Sequence, residues 1–491
     1  MVNAHFENIA PMKISVGKKQ TTVDVKVNAK DDVSQLLSCG ATANVISSET
    51  LQGEVKYFGR VNLKLLYLDD GGALCGSNYN ADFEDVLTVF EATPLSASKF
   101  SVSVVDCRAD AQGNVISVRL IVETEAQVWS EEPVGAMTQM DDAFVRFGKV
   151  DFLSATSGEV GFETSAELSA ASSIERVLSS EATVLLSDCN VDEGVMTASG
   201  KICLALAYVS EGKARCDRLT FDFSEQAETS LNVSANAVLT AFVKNVKIRL
   251  NVVEGETNDV FFAEVQFGVR ALCLEEKSAE IVQDAYGADF DVALEKTNVG
   301  CSVLLGQRTT EFDVEQLVPE SAEGEFAFAT ALAVVVENCV ASEGSAKIDG
   351  VARFDALYYD AEGVLRATPL ELPFTQVVEG DFFAADCKIF AVGTAISAQA
   401  EMGANVSAKA TVRLAVCAVK NQTFSVATAF EETPFDKSTS PAVEVAFAQK
   451  GETLWNLAKN VHMSEQDLLA LNPDLSNPLS EDAKVLIYNK L

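Results

Sequence analysis

Histidine is almost missing from this chain. Only His5 and His462 occur, far apart in sequence, which argues against a His-built metal centre or a Ser–His–Asp relay. Basic side chains are also scarce: 37 Lys and Arg stand against 72 Asp and Glu, a net charge of −35. Such a surface is repelled by phosphate backbones and anionic headgroups, so no nucleic-acid partner is expected, and an electrostatic partner must offer a basic face. No 18 apolar residues follow one another, so no transmembrane span is expected. Met1 to Gln20 lacks the apolar run of a signal peptide and carries Glu7, Lys13, Lys18 and Lys19 instead. The 11 cysteines are odd in number, scattered from Cys39 to Cys417 and never spaced as CxxC. Cys203, Cys273 and Cys417 sit in apolar strand-like runs, where a thiol acts as a small core residue. All are read as reduced thiols of a cytosolic protein. An HExxH helix, a P-loop and a Gly-x-Ser-x-Gly elbow are absent. Acid pairs such as Glu131-Glu132 and Glu431-Glu432 carry no catalytic signal in so acidic a chain. The expectation is a protein that is not an enzyme and needs no cofactor or metal.

What is present is a repeat. The 491 residues are 48% apolar and 22% charged, a globular composition, and predict roughly three or four domains. Gly53, Gly59 and Tyr67 have the spacing of Gly194, Gly200 and Tyr208, and of Gly344, Gly350 and Tyr358. A Phe follows each Tyr at 15 or 16 residues: Phe83, Phe223 and Phe374. The period is 141 and then 150 residues, which means tandem domains rather than a short-repeat solenoid. Between the second Gly and the Tyr each copy alternates: Val61, Leu63, Leu65; Ile202, Leu204, Leu206; Ala352, Phe354, Ala356. Period-2 placement puts each set on one face of a strand. Turns follow at Asp69-Asp70-Gly71-Gly72, Ser210-Glu211-Gly212 and Asp360-Ala361-Glu362-Gly363. The repeated Tyr and Phe are read as core, the repeated Gly as turn and strand-end positions. Three β-rich domains are expected over 26–155, 165–295 and 310–430, after a lead of 1–25. A linker is expected at 431–442, where two Pro flank Lys-Ser-Thr-Ser.

From Val443 the pattern changes. A short apolar strand to Ala448 precedes Gly451, and Leu454, Leu457, Ala458 and Val461 then recur at helical spacing. Ser464 is a candidate N-cap for a second helix carrying Leu468, Leu469 and Leu471, and Asn472-Pro473 ends it. Lys484 to Tyr488 closes a strand–helix–helix–strand unit. The fold class is therefore mainly β, with three tandem β-rich repeats and a small α+β (βααβ) domain over 443–491.

Phe447 to Ala458, with Gly451-Glu452-Thr453-Leu454-Trp455 at its centre, resembles the opening of LysM domains. Leu468 to Pro473 resembles their second helix and its exit, and Val485-Leu486-Ile487 their closing strand. LysM domains bind N-acetylglucosamine glycans such as peptidoglycan. The resemblance implies one wall of a groove at Gly451, Glu452, Thr453 and Leu454 and the other at Asn472, Pro473, Asp474 and Leu475. Trp455 stands either at the core edge or as an exposed anchor for a partner. Glu452 replaces the usual Asp, and Glu481 to Lys484 replaces the usual Pro-Gly-Gln, which turns the expectation from a glycan toward a protein ligand. The whole arrangement is similar to the SipL/SpoVID class of spore-coat assembly proteins, whose repeats are called SPOCS domains. That resemblance implies a scaffold in the mother-cell cytoplasm, on the forespore surface. Its partners would be a coat morphogenetic ATPase and other coat proteins, with glycan as the alternative ligand.

Overall fold

The computed structural model describes residues 3–231, 237–251, 258–319, 322–435 and 443–488. It is mainly β, and its three copies share one plan. In copy 1, β1 (Ala4–Ile9) leads into β2 (Met12–Asn28), β3 (Val33–Leu51), β4 (Glu54–Asp69), β5 (Leu74–Thr88), β6 (Ala97–Gln112), β7 (Val115–Glu131) and β8 (Val134–Met140). Two antiparallel three-stranded sheets, β3-β4-β5 and β2-β7-β6, face each other, and β1 pairs with β8 beyond them. Copy 2 repeats the plan with β9 (Phe144–Ser169), β10 (Arg176–Asp192), β11 (Val195–Ser210), β12 (Lys213–Glu228), β13 (Val238–Leu250) and β14 (Val260–Tyr286). Copy 3 does so with β15 (Phe290–Val318), β16 (Glu325–Ser342), β17 (Ser345–Tyr359), β18 (Leu365–Glu379), β19 (Lys388–Glu401) and β20 (Val406–Pro434). Sheets β10-β11-β12 and β9-β14-β13, then β16-β17-β18 and β15-β20-β19, keep the same order.

The repeated residues have definite tasks. Gly53, Gly194 and Gly344 turn the chain between the first two strands of each meander, with φ of +80°, +80° and +75°, a conformation open to Gly at little cost. Gly59 pairs across the sheet with Phe83, Gly200 with Phe223 and Gly350 with Phe374. A Cβ on Gly59 would lie 2.2 Å from the Phe83 ring, so the aromatic covers the bare backbone of its partner. The alternating sets point inward: Val61, Leu63 and Leu65 pack on Val118, Leu120 and Val122 of β7.

The boundaries differ from the sequence expectation. The segment 1–25 is no lead: it holds β1 and most of β2, and Val23 and Val25 lie in the copy 1 core. Residues 156–164 and 296–309, placed between domains, are interior to β9 and β15. Of the expected linker, 431–434 end β20 against β15, and 436–442 lie outside the described residues. The reason is that long first and last strands run out of each sandwich as a ribbon, and a sequence window sees only local alternation.

These ribbons join the copies. One buried cluster combines Ile9 and Ala136 of copy 1, Phe152 and Ile281 of copy 2, and Val299 and Val426 of copy 3. Further along β9, Leu153 meets Met12 and Trp129 of copy 1 and Val419 of copy 3. A third shared cluster unites Leu66, Leu178 and Leu357 of the three meander sheets. The last strand of each meander lies beside the first strand of the next: β5 by β10, β12 by β16, β18 by β3. The copies thus close around a common line. Gly76 permits one such approach, since a Cβ there would stand 2.1 Å from the Leu178 carbonyl oxygen.

The chemistry at these seams is not symmetric. Five residues after the second repeated Gly stand Lys64, Ala205 and Asp355. Lys64 pairs with Glu181 of copy 2 at 2.8 Å. Asp355 accepts a hydrogen bond from Ser38 of copy 1 at 2.5 Å, and burial pushes its carboxyl up to about 6 against the opposing pull of that hydroxyl. None of the 11 cysteines, all of them among the described residues, is in a disulfide.

Candidate binding module at the C-terminus

The last unit is built from β21 (Val443–Ala448), α1 (Leu454–Asn460), α2 (Glu465–Leu471) and β22 (Ala483–Tyr488), with β21 antiparallel to β22. Thr453 caps α1 by accepting from the Asn456 amide, and Ser464 caps α2 by accepting from the Asp467 amide. Gly451 turns the chain out of β21 with φ of +91°. The two short helices bury Leu454, Trp455, Leu457, Ala458 and Leu468, over Val485 and Ile487 of the sheet.

The 451–454 wall is tied to Asn477 and Leu479, a few residues past the 472–475 wall, and much of the polar capacity of both expected walls is spent within the module. The Gly451 amide donates to the Leu479 carbonyl and the Leu479 amide to the Glu452 carbonyl, both at 2.9 Å. The Leu454 amide donates to Asn477 Oδ1 at 3.2 Å. Glu452 Oε2 accepts from the Gln449 amide. Asn472 is a clamp: its Nδ2 donates to the Leu468 and Leu486 carbonyls, and its Oδ1 accepts from the Leu486 amide at 2.7 Å. Leu475 is half-buried against the module core, and Leu454 is buried. Pro473, Asp474, Ser476 and Asn456 are exposed.

Trp455 is neither a free anchor nor only a core edge. It is 8% exposed, stacks edge-on against Tyr286 at 5.0 Å, and donates its indole N–H to Asp284 at 2.7 Å. Both partners lie at the end of β14, so this Trp docks the module onto copy 2. Lys459 reaches the other Asp284 oxygen at 2.5 Å. Burial pushes the Asp284 carboxyl up, but the hydrogen bonds from Lys459 and Trp455 outweigh it and hold the group below its ordinary range. Tyr286 donates its hydroxyl to the Met463 carbonyl at 2.9 Å. His462, buried at φ +51°, lies flat on Phe435 at 3.7 Å and meets Asp291 of β15 at 3.0 Å. Sequence reasoning missed His462, because a lone His carries no spacing signal.

It also missed the face that the docked module leaves open. Val443, Val445 and Phe447 pair across the hairpin with Tyr488, Leu486 and Lys484, all on the side away from the helices. Phe447 is 79% exposed, and Val443, Val445, Leu486 and Tyr488 are exposed with it. Alternation along β21 is the signal that holds this stripe.

Residues 448–479 match the model of the LysM domain family, so the module is a LysM domain. No curated protein and no solved structure matches the chain. Among the described residues no cluster of three or more His, Cys, Asp or Glu is arranged to hold a metal, and no helix is long and apolar enough to cross a membrane.

Proposed function

We propose that this three-copy β body with its docked LysM domain is a non-enzymatic assembly scaffold, which holds a partner protein on the outer face of the LysM hairpin. The observation that carries the reading is the apolar stripe of Val443, Val445, Phe447, Leu486 and Tyr488. An exposed contiguous apolar face marks an interaction surface. Two features support it: the body is knit by shared cores into a rigid carrier, and the indole of Trp455 is committed to docking. The resemblance to spore-coat assembly proteins gives the reading its setting. The scaffold then works in the mother-cell cytoplasm at the forespore surface, with the coat morphogenetic ATPase and other coat proteins as partners. Phe447→Ser with Leu486→Ser in the full chain tests it. A fluorescent fusion of the parent chain should encircle forespores, and the double variant should disperse. Encirclement by both proteins would overturn the reading.

A second reading has its own support. The LysM family match points to a glycan-binding module of the peptidoglycan type, and Asn456, Pro473, Asp474 and Ser476 are exposed around its two loops. Sedimentation of the full chain with insoluble peptidoglycan, lost on Pro473→Ala with Asp474→Ala, would favour it over the scaffold.

A further inference from the structure

The three copies enclose a cavity of ≈ 500 Å³ on their common line, far in sequence from the LysM loops. Its walls are unusual in kind. Residues 41–45 of β3, 100–104 of β6, 180–184 of β10, 240–246 of β13 and 392–395 of β19 line it consecutively. Successive side chains of a strand point to opposite faces. Consecutive lining therefore means that strand edges, with their backbone donors and acceptors, border the space. Each of these edges also carries a register break: Val45/Ser47, Val104/Asp106, Leu186/Asp188, Val243/Asn245 and Ala395/Ser397. Bulges of this kind interrupt the regular row that an added strand would need. The edges offer scattered hydrogen-bonding groups, not a template for a peptide strand.

One wall is a sheet face, and copy 1 alone supplies it with amides. Thr42, Asn62 and Asn80 are partners in one row across β3, β4 and β5, with Asn44 and Asn78 in the rows on either side. The corresponding row holds Thr183, Cys203 and Thr220 in copy 2 and Ala333, Arg353 and Glu371 in copy 3. Asn44 and Asn62 are half-buried, whereas Asn78 and Asn80 are exposed where the cavity opens. Among the described residues none of these four amide side chains hydrogen-bonds to another protein group. Every cationic head at the cavity is already in an ion pair: Lys64 with Glu181, and Lys244 and Arg270 sharing Glu159, each at 2.8 Å. Three cations against two carboxylates leave a single net positive charge, with no unpaired cation to seat an anion. Phe100 and Phe242 also border the space, buried with the Arg270 guanidinium over both rings.

We propose that this cavity binds a neutral, polyhydroxylated ligand of the saccharide class. Unpartnered amides, Ser and Thr hydroxyls and broken strand edges offer donors and acceptors in the irregular pattern that sugar hydroxyls match. The volume lies in the usual range for small-ligand sites. The site is independent of the LysM loops and of the hairpin face.

Saturation-transfer NMR and calorimetry on the full chain test it, with maltotriose, triacetylchitotriose and a capped Val/Thr pentapeptide as probes. At least one of the two sugars should bind. Asn62→Ala with Asn80→Ala should weaken that sugar roughly tenfold, the loss expected for two hydrogen bonds. Pro473→Ala with Asp474→Ala should leave it unchanged. Thermal melting of the Asn62/Asn80 variant should match the parent, and if it does not, Asn44→Ala and Asn78→Ala singly provide the same readout. Binding of neither sugar, binding of the peptide alone, or sugar binding that follows the LysM variant and not the amide variants would each overturn the proposal.

Discussion

The indole N–H of Trp455 donates to the Asp284 carboxylate at 2.7 Å across 171 residues of sequence. This bond is the centre of several ties between the LysM domain and the body: Lys459 takes the second oxygen, Tyr286 packs on the ring and reaches the Met463 carbonyl, and His462 meets Asp291. Trp455→Phe keeps the ring contact and removes the donor. A hydrogen bond to a charged group contributes about 1.5–3 kcal/mol, so the variant should undock the LysM domain without unfolding it. Faster proteolytic release of the LysM domain, with unchanged circular dichroism, is the expected outcome. Unaltered cleavage would show that docking does not depend on this bond.

Asp284 also gives the docking a pH limit. Its folded carboxyl is held below the ordinary range, so the stabilisation is present above the unfolded value and is lost as pH falls through the folded one. Acidification below about pH 4 should release the module, read as the same protease sensitivity. Asp284→Asn should show that sensitivity at neutral pH as well.

Asp355 acts with the opposite sign. Its carboxyl is pushed up to about 6 at the seam between copies 3 and 1. Between the unfolded value near 3.8 and 6, the unfolded chain sheds this proton while the folded chain keeps it. Stability from this group is full below that window, falls as pH rises through it and stays lower above, by roughly 3 kcal/mol at most. Asp355→Asn should therefore melt higher than the parent at about pH 7.5, and the difference should close at about pH 4. A constant difference across that range would place the titration elsewhere.

The repeat was legible because its signature is local to three consecutive strands. Gly59 and Phe83 lie 24 residues apart, yet they are direct cross-strand partners, and the same pairing recurs twice. The LysM helices were legible through their caps and periodicity. The union of the copies was not. Leu66, Leu178 and Leu357 look like ordinary interior residues of separate domains, and nothing in their spacing says that they meet. Trp455 was left between two roles because its partner, Asp284, is one of 72 acids with no mark of its own. Asn472 was assigned to a groove wall by family position, whereas its side chain is occupied within the module.

The glycine pairing makes a graded prediction. A Cβ on Gly200 would stand 2.2 Å from the Leu185 carbonyl oxygen, a backbone atom that cannot swing away. A Cβ on Gly300, also in a strand, would meet nothing within 4 Å. Gly200→Ala should lower stability by about 2 kcal/mol or more, whereas Gly300→Ala should stay within about 0.5 kcal/mol of the parent. Denaturant midpoints compare the two. Equal midpoints would mean that the copy 2 meander tolerates a shift the geometry forbids.

Asn472 provides the sharpest separation of structure from binding in the LysM domain. Its amide satisfies the Leu486 amide and carbonyl on β22 while also holding the Leu468 carbonyl at the end of α2. Asn472→Ala leaves those backbone groups without their partner, and each unsatisfied group costs about 1–3 kcal/mol where water does not replace it. The closing strand should detach from the helices, so hydrogen exchange over Ala483–Tyr488 should accelerate by about two orders of magnitude while exchange in β11 and β17 stays unchanged. Asn472→Asp keeps the acceptor for the Leu486 amide but cannot donate to either carbonyl, so it should show an intermediate rate. A residue serving only as a ligand contact would leave exchange unchanged in both variants, and that result would return Asn472 to the groove.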